Sequence, residues 1–217
     1  MKKLLFFAAC AFMLSCNDEK KSATVSTDAD TTKVTTADNA ADATPAPPMD
    51  SAAMMKAWQV YMTPGAEHKM LAMSAGKWDE ELTMYMSPDA PPQSMKATAE
   101  NTMMLNGLYQ RSVHKGSYNG MPFEGISTVG FNNASKKFQS SWVDNMGTGI
   151  GYMEGTYDST TRTLTMAGKA TDPMSGKEMS TRETMKFIDN DNQYMEMFDT
   201  HAGKEMRVMT IKFTRRK

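Results

Sequence analysis

The chain has 217 residues and a formal net charge of −1, with 24 basic against 25 acidic side chains and only two cysteines. That length allows one sizeable domain with some chain left over. The even charge, with no basic stripe, argues against a nucleic-acid partner, and so few thiols leave no disulfide framework and no cysteine-rich metal site.

At the start, Met1-Lys2-Lys3 is a short positive region and Leu4 to Leu14 an apolar core, too short to span a bilayer as a helix. Met13-Leu14-Ser15-Cys16 follows and resembles a bacterial lipobox. The resemblance implies cleavage before Cys16 and lipid attachment to it, hence a membrane anchor in the cell envelope, with the outer membrane as the expected address. Two or more acyl chains hold a protein on a bilayer where one does not. A secreted protein with a different cleavage site is the alternative. Cys10 leaves with residues 1–15 and Cys16 is consumed by lipid, so the mature chain has no free thiol. Residues 16–50 are rich in Ala, Thr, Asp and Pro and poor in large apolar side chains, which predicts a disordered tether. Its r.m.s. reach as a flexible coil is roughly 30 Å.

Residues 51–217 read as the folded domain. Met54, Trp58 and Tyr61 share one face of a helix over Ala52 to Met62, which Pro64-Gly65 ends. A second helix, Ala66 to Ser74, leads to Gly76 as its C′ glycine. Both helices are expected to cap an open barrel end, with partner binding as the alternative. Ten strands follow, near 77–86, 94–105, 108–118, 121–132, 136–145, 150–157, 162–170, 179–188, 193–199 and 204–214. Tyr118-Asn119-Gly120-Met121 is a two-residue type I′ hairpin signal. Short turns throughout pair neighbouring strands antiparallel, and a meander this long removes its exposed edges by closing. The fold class is therefore all-β: an up-and-down antiparallel β-barrel of about ten strands with short N-terminal helices. Trp78 opens the first strand and Arg215 ends the last. An arginine laid over that indole seals the barrel base and gains roughly 1 kcal/mol of cation–π energy when partly desolvated.

Several stretches carry a resemblance. They are Glu67-His68-Lys69-Met70-Leu71 through Gly76-Lys77-Trp78, then Met121-Pro122-Phe123-Glu124-Gly125 and Gly130-Phe131-Asn132-Asn133. Trp142-Val143-Asp144-Asn145-Met146-Gly147-Thr148-Gly149 is the most specific, followed by Glu154-Gly155-Thr156-Tyr157-Asp158, Asp172-Pro173-Met174-Ser175-Gly176-Lys177 and Phe213-Thr214-Arg215. Together, over about residues 64 to 216, they resemble the bacterial family of domain of unknown function 1579. That family name implies a fold and no activity. The Gly-x-Trp with a terminal-strand arginine is similar to the calycin pattern of lipocalins and fatty-acid-binding proteins, which implies a barrel holding a small apolar ligand.

Catalytic signatures are missing: there is no His-Glu-x-x-His, no Walker loop and no Gly-x-Ser-x-Gly elbow. Gly147-Thr148-Gly149-Ile150-Gly151 lacks a following helix and reads as a hairpin. His68, His114 and His201 fall on a helix, a strand and a turn, and are expected to be structural or exposed rather than haem ligands. Asp79, Glu80 and Glu81 alternate across a strand, so they do not converge on one substrate. Methionine is abundant, at 24 residues. Met84-Tyr85-Met86 and Met195-Glu196-Met197 put thioether pairs on one face, a ligand type suited to Cu(I). With leucine and isoleucine scarce, methionine as core filler is the preferred account, so neither a metal nor a cofactor is assigned.

The interior supplies the remaining candidate. Phe138, Ser140, Trp142 and Asp144 share one strand face; Phe123, Gly125, Ser127 and Val129 share one on its neighbour. That mixture of aromatic, small and polar groups suits a pocket better than a solid core. Arg182, Glu183 and Glu196 are polar groups whose faces the sequence leaves open. The expectation is a lipid-anchored binding module for a small, partly apolar molecule, held by Phe123, Ser127, Phe138, Ser140, Trp142 and Asp144. A structural or interaction lipoprotein with no ligand is the alternative, and an enzyme using Asp144 a third reading.

Overall fold

The computed structural model describes residues 50–87, 89–201 and 203–217. Cys16, the signal segment 1–15 and the tether as far as residue 49 lie outside the described residues.

Two helices precede ten strands: α1 (Ser51–Met62), α2 (Ala66–Met73), β1 (Gly76–Met84), β2 (Gln93–Met104), β3 (Tyr109–Tyr118), β4 (Met121–Asn132), β5 (Lys137–Asp144), β6 (Gly151–Asp158), β7 (Thr163–Thr171), β8 (Glu178–Phe187), β9 (Asn192–His201) and β10 (Lys204–Arg215). Each strand pairs antiparallel with its sequence neighbour, and β1 pairs with β10, so the meander is a closed barrel. Closure leaves no strand with unpaired edge groups. The β3–β4 turn has positive φ at both Asn119 and Gly120, with Tyr118 opposite Met121, as a type I′ hairpin requires.

Side chains alternate across the wall. On β1, Trp78, Glu80 and Leu82 are buried while Lys77, Asp79 and Glu81 are exposed. The outer rungs therefore carry charge, unlike the apolar band of a lipid-spanning barrel. No helix among the described residues is long and apolar enough to cross a membrane. Glycines bend the wall where it closes. A Cβ on Gly155 would stand 1.8 Å from the Thr165 carbonyl oxygen, and one on Gly168 would stand 2.1 Å from that of Tyr152, so neither position accepts a side chain without parting β6 from β7.

One end of the barrel is plugged, and α2 is the plug. His68 and Leu71 are its buried residues. His68 Nδ1 accepts the Gly65 N–H at 2.9 Å, satisfying a donor at the helix start, and its ring meets Phe131 edge-on. The carbonyls at the other end of α2 are taken by side chains from the wall. Leu71 O accepts from Gln110 Nε2 at 2.5 Å, and Ser74 O from Trp78 Nε1 at 2.9 Å and Asn101 Nδ2 at 3.0 Å. Met73 O and Ala75 O accept from the two terminal nitrogens of Arg215 at 2.7 and 2.6 Å.

The Arg215 guanidinium lies over Trp78, with Cζ 4.3 Å from a ring centroid, and Trp78 is completely buried. Gly76 serves this contact rather than a helix C′ position. Ser74 already ends α2, and Gly76, at φ +126°, would place a Cβ 2.9 Å from Arg215 Nη1. Around this floor pack Leu82, Ala97, Ala99, Met195, Ile211 and Phe213 on one side, and Leu71, Phe138, Leu164 and Met166 on the other.

The first helix does not share in the capping expected of both. No residue of α1 is buried. Its apolar face is open to solvent, with Met54, Trp58 and Tyr61 each more than 40% exposed. Its C-terminal end is tied to the β4–β5 turn by Asn133 Nδ2, which donates to the carbonyls of Val60, Tyr61 and Thr63. The tie holds the helix end in place while every residue of α1 stays exposed.

Candidate functional site

Away from the α2 end the inward-facing positions mix aromatic, small and charged side chains. Trp78, Phe138, Leu164 and Met166 are almost wholly inaccessible, whereas Phe123, Ser127, Ser140, Trp142, Asp144, Glu183, Met197 and Met209 are half-buried, as are Met103, Phe131, Tyr157 and Phe187 nearer α2. Register brings these groups together. Gly125 lies opposite Asp144 and His114, Ser127 opposite Trp142, and Glu183 opposite Met166 and Met197. These groups make up the end of the interior toward the β3–β4 hairpin, away from α2.

Trp142 organises one wall of that space. Its indole lies across Gly125, where a Cβ would come within 2.5 Å of the ring, so the glycine is what lets the indole lie flat. Phe123 stacks at 6.4 Å and His114 tilts against it at 5.3 Å. Trp142 Nε1 donates to Asp144 Oδ2 at 2.6 Å, while Asp144 Oδ1 accepts the Met146 N–H at 2.8 Å. These bonds fix the carboxylate, while Gly125, Phe123 and His114 pack around the indole. Phe138 belongs to the floor: it is 1% exposed and packs on Phe131 at 5.0 Å.

Three titratable groups complete the interior. Glu80, 2% exposed, lies 2.8 Å from His114 Nδ1. A buried carboxylate held this way needs the imidazolium, or the Nδ1–H tautomer, to offset its desolvation. Glu183 faces the same space from β8. Desolvation pushes its carboxyl up to about 7, opposed by the charge of His114 across the barrel. Its remaining accessible surface faces the inside of the wall.

A family model described as "Protein of unknown function (DUF1579)" matches residues 63–215. The chain belongs to that family. No curated protein matches this DUF1579 chain. Among solved structures it is similar to the crystal structure of Rv2717c from M. tuberculosis, at 12% identity and a TM-score of 0.54, over 71% of this chain and 100% of that one. At that identity the likeness is one of fold.

The DUF1579 barrel arranges the remaining sequence candidates as follows. Arg182 lies outside, over the Phe198 ring and paired with Glu205 at 2.7 Å; Glu196 is also outside, 3.1 Å from Arg207. Only Glu183 of those three points inward. Met195 is packed in the core beside Met185 and Met86 is 62% exposed, while Met84 and Met197 stand on one rung on either side of Met209. Among the described residues no cluster of three or more His, Cys, Asp or Glu is spaced to hold a metal.

Glu80 and His114 are the residues that sequence reasoning passed over. A signal for both was present. Trp78 faces inward, so Glu80 two residues on must as well. The type I′ turn sets Tyr118 opposite Met121 and hence His114 opposite Gly125, already placed on the pocket face.

Proposed function

We propose that this protein is a lipid-anchored protein of the bacterial envelope, on the outer membrane, whose barrel binds a small, partly apolar molecule in its open half. The observation that carries the binding reading is the half-buried wall of Phe123, Ser127, Ser140, Trp142 and Asp144 above the floor at Phe138. A core selected for stability alone would fill such a space with aliphatic side chains and would not keep charged groups there. The lipobox at Cys16 and the acidic, low-complexity tether support the anchor. Native mass spectrometry of residues 50–217 isolated from cells is expected to show a retained molecule of a few hundred daltons, on the order of what such a pocket encloses. A single apo mass, together with no exchange of any added small molecule, would reject the binding reading.

A second reading is favoured by α1, whose Met54, Met55, Trp58, Val60 and Met62 are all exposed. Beside it runs a groove of about 400 Å³ that includes Tyr61, Tyr109, Asn133 and Tyr152. In this reading the outer surface works, docking an envelope protein. In-cell crosslinking is then expected to capture one dominant partner, and Trp58→Ala to lose it while leaving the barrel folded. Capture unaffected by Trp58→Ala counts against it.

A further inference from the structure

We infer that the ligand of the open half of the barrel is an organic cation, its positive head beside Glu183 and its apolar body against Trp142 and Phe123. The inference rests on the binding reading above and names the ligand class.

Charge inside the barrel is one-sided. By strand register the inward positions of the middle and upper rungs carry Glu80, Asp144, Glu183 and Asp199, against the single base His114. The lysines and arginines of the strands lie on the outer face, apart from Arg215 in the floor and the exposed Lys204 in the last hairpin rung. His114 is engaged by Glu80. Asp144 is held by an indole N–H and a backbone N–H, neither of which cancels its charge. Glu183 has Met166 and Met197 as its cross-strand neighbours, with His114, already shared with Glu80, as the positive charge that reaches it. A carboxylate in an apolar, partly closed space with no counter-ion of its own is an unmet demand for a positive charge.

The apolar lining completes the match. The Trp142 indole, seated over Gly125 beside Phe123, supplies an aromatic surface of the kind that attracts cations more strongly than other rings do. Met197 and Met209, half-buried on β9 and β10, stand across the barrel from β5, where polarizable thioethers accommodate an alkyl chain of irregular shape. An anion meets an excess of negative charge in this space, and a neutral molecule leaves Glu183 uncompensated.

The test compares three probes of one chain length against the full chain by isothermal titration calorimetry: hexyltrimethylammonium, hexanol and hexanoate. The first carries a permanent charge, so any pH dependence belongs to the protein. At pH 8 the cation is expected to bind roughly tenfold or more tighter than hexanol, the scale of one partly desolvated charge contact, with hexanoate weakest. Glu183→Gln should remove most of that preference and leave hexanol unchanged. Lowering the pH from 8 to 5.5 neutralises Glu183, which should weaken cation binding. Hexanol or hexanoate binding as well as the cation, or a preference that survives Glu183→Gln, overturns the cation assignment and leaves the cavity reading standing. No binding of any of the three probes overturns both.

Discussion

Trp78→Ala is expected to lower the unfolding free energy by about 3–5 kcal/mol, the range for deleting a large buried aromatic. Three losses coincide at this residue. The indole is 0% exposed, so its removal leaves a cavity under the plug. Its N–H to Ser74 O disappears, leaving Asn101 Nδ2 as the remaining donor to that helix-end carbonyl. Arg215 loses the ring beneath it and retains its bonds to Met73 O, Ala75 O and Asn190 O and its ion pair with Asp191. For a domain of this size each kcal/mol corresponds to roughly 2–4 °C, so a fall in Tm of roughly 10 °C is expected in a thermal melt. Trp142→Ala is the comparison, because that indole is only half-buried and its loss should cost far less. Equal losses at the two tryptophans would show that the barrel has no distinct sealed end.

Glu183→Gln is expected to stabilise the unliganded protein at pH 8 and to have almost no effect near pH 4. The Glu183 carboxyl titrates at about 7 in the folded chain against 4.5 when unperturbed. Below the lower value the group is protonated in both states and contributes nothing. Between the two, the unfolded chain releases a proton that the folded chain keeps, so stability falls as the pH rises. Above about 7 the whole penalty is present, on the order of 3 kcal/mol. Glutamine carries no charge at any pH and escapes it. Urea unfolding of both proteins at pH 4, 6 and 8 should give curves that coincide at the acid end and separate steadily above it. A difference independent of pH would place Glu183 in contact with bulk water. A residue that weakens the empty fold in this way is more readily explained by what the cavity takes up than by the demands of folding.

The barrel itself was legible in local pattern. Period-2 alternation, as in Trp78, Glu80 and Leu82, marks a wall with one face in and one face out. Turn residues such as Asn119-Gly120 punctuate it at short, regular intervals, and each resulting strand begins and ends within about two residues of its expected bounds. Strand faces were legible for the same reason, since a side chain two residues from an inward tryptophan must also point inward. The first helix was misread because amphipathic spacing reports a face able to pack and does not report whether anything packs on it. Met54, Trp58 and Tyr61 share such a face and remain in solvent.

Chain order by itself thus determined ten strands, their antiparallel pairing and the inward set that includes Trp142 and Asp144, because backbone pleat and turn geometry act over two to four residues. Tertiary structure alone decided which end is sealed and which charges share the interior. Glu80 and His114 lie 34 positions apart, and Glu183 sits five strands beyond His114. Glu80 and His114 meet across the single strand β2, but His114 and Glu183 come within electrostatic reach only when the sheet closes, since Coulomb coupling and desolvation depend on distance across the barrel, which no local periodicity encodes.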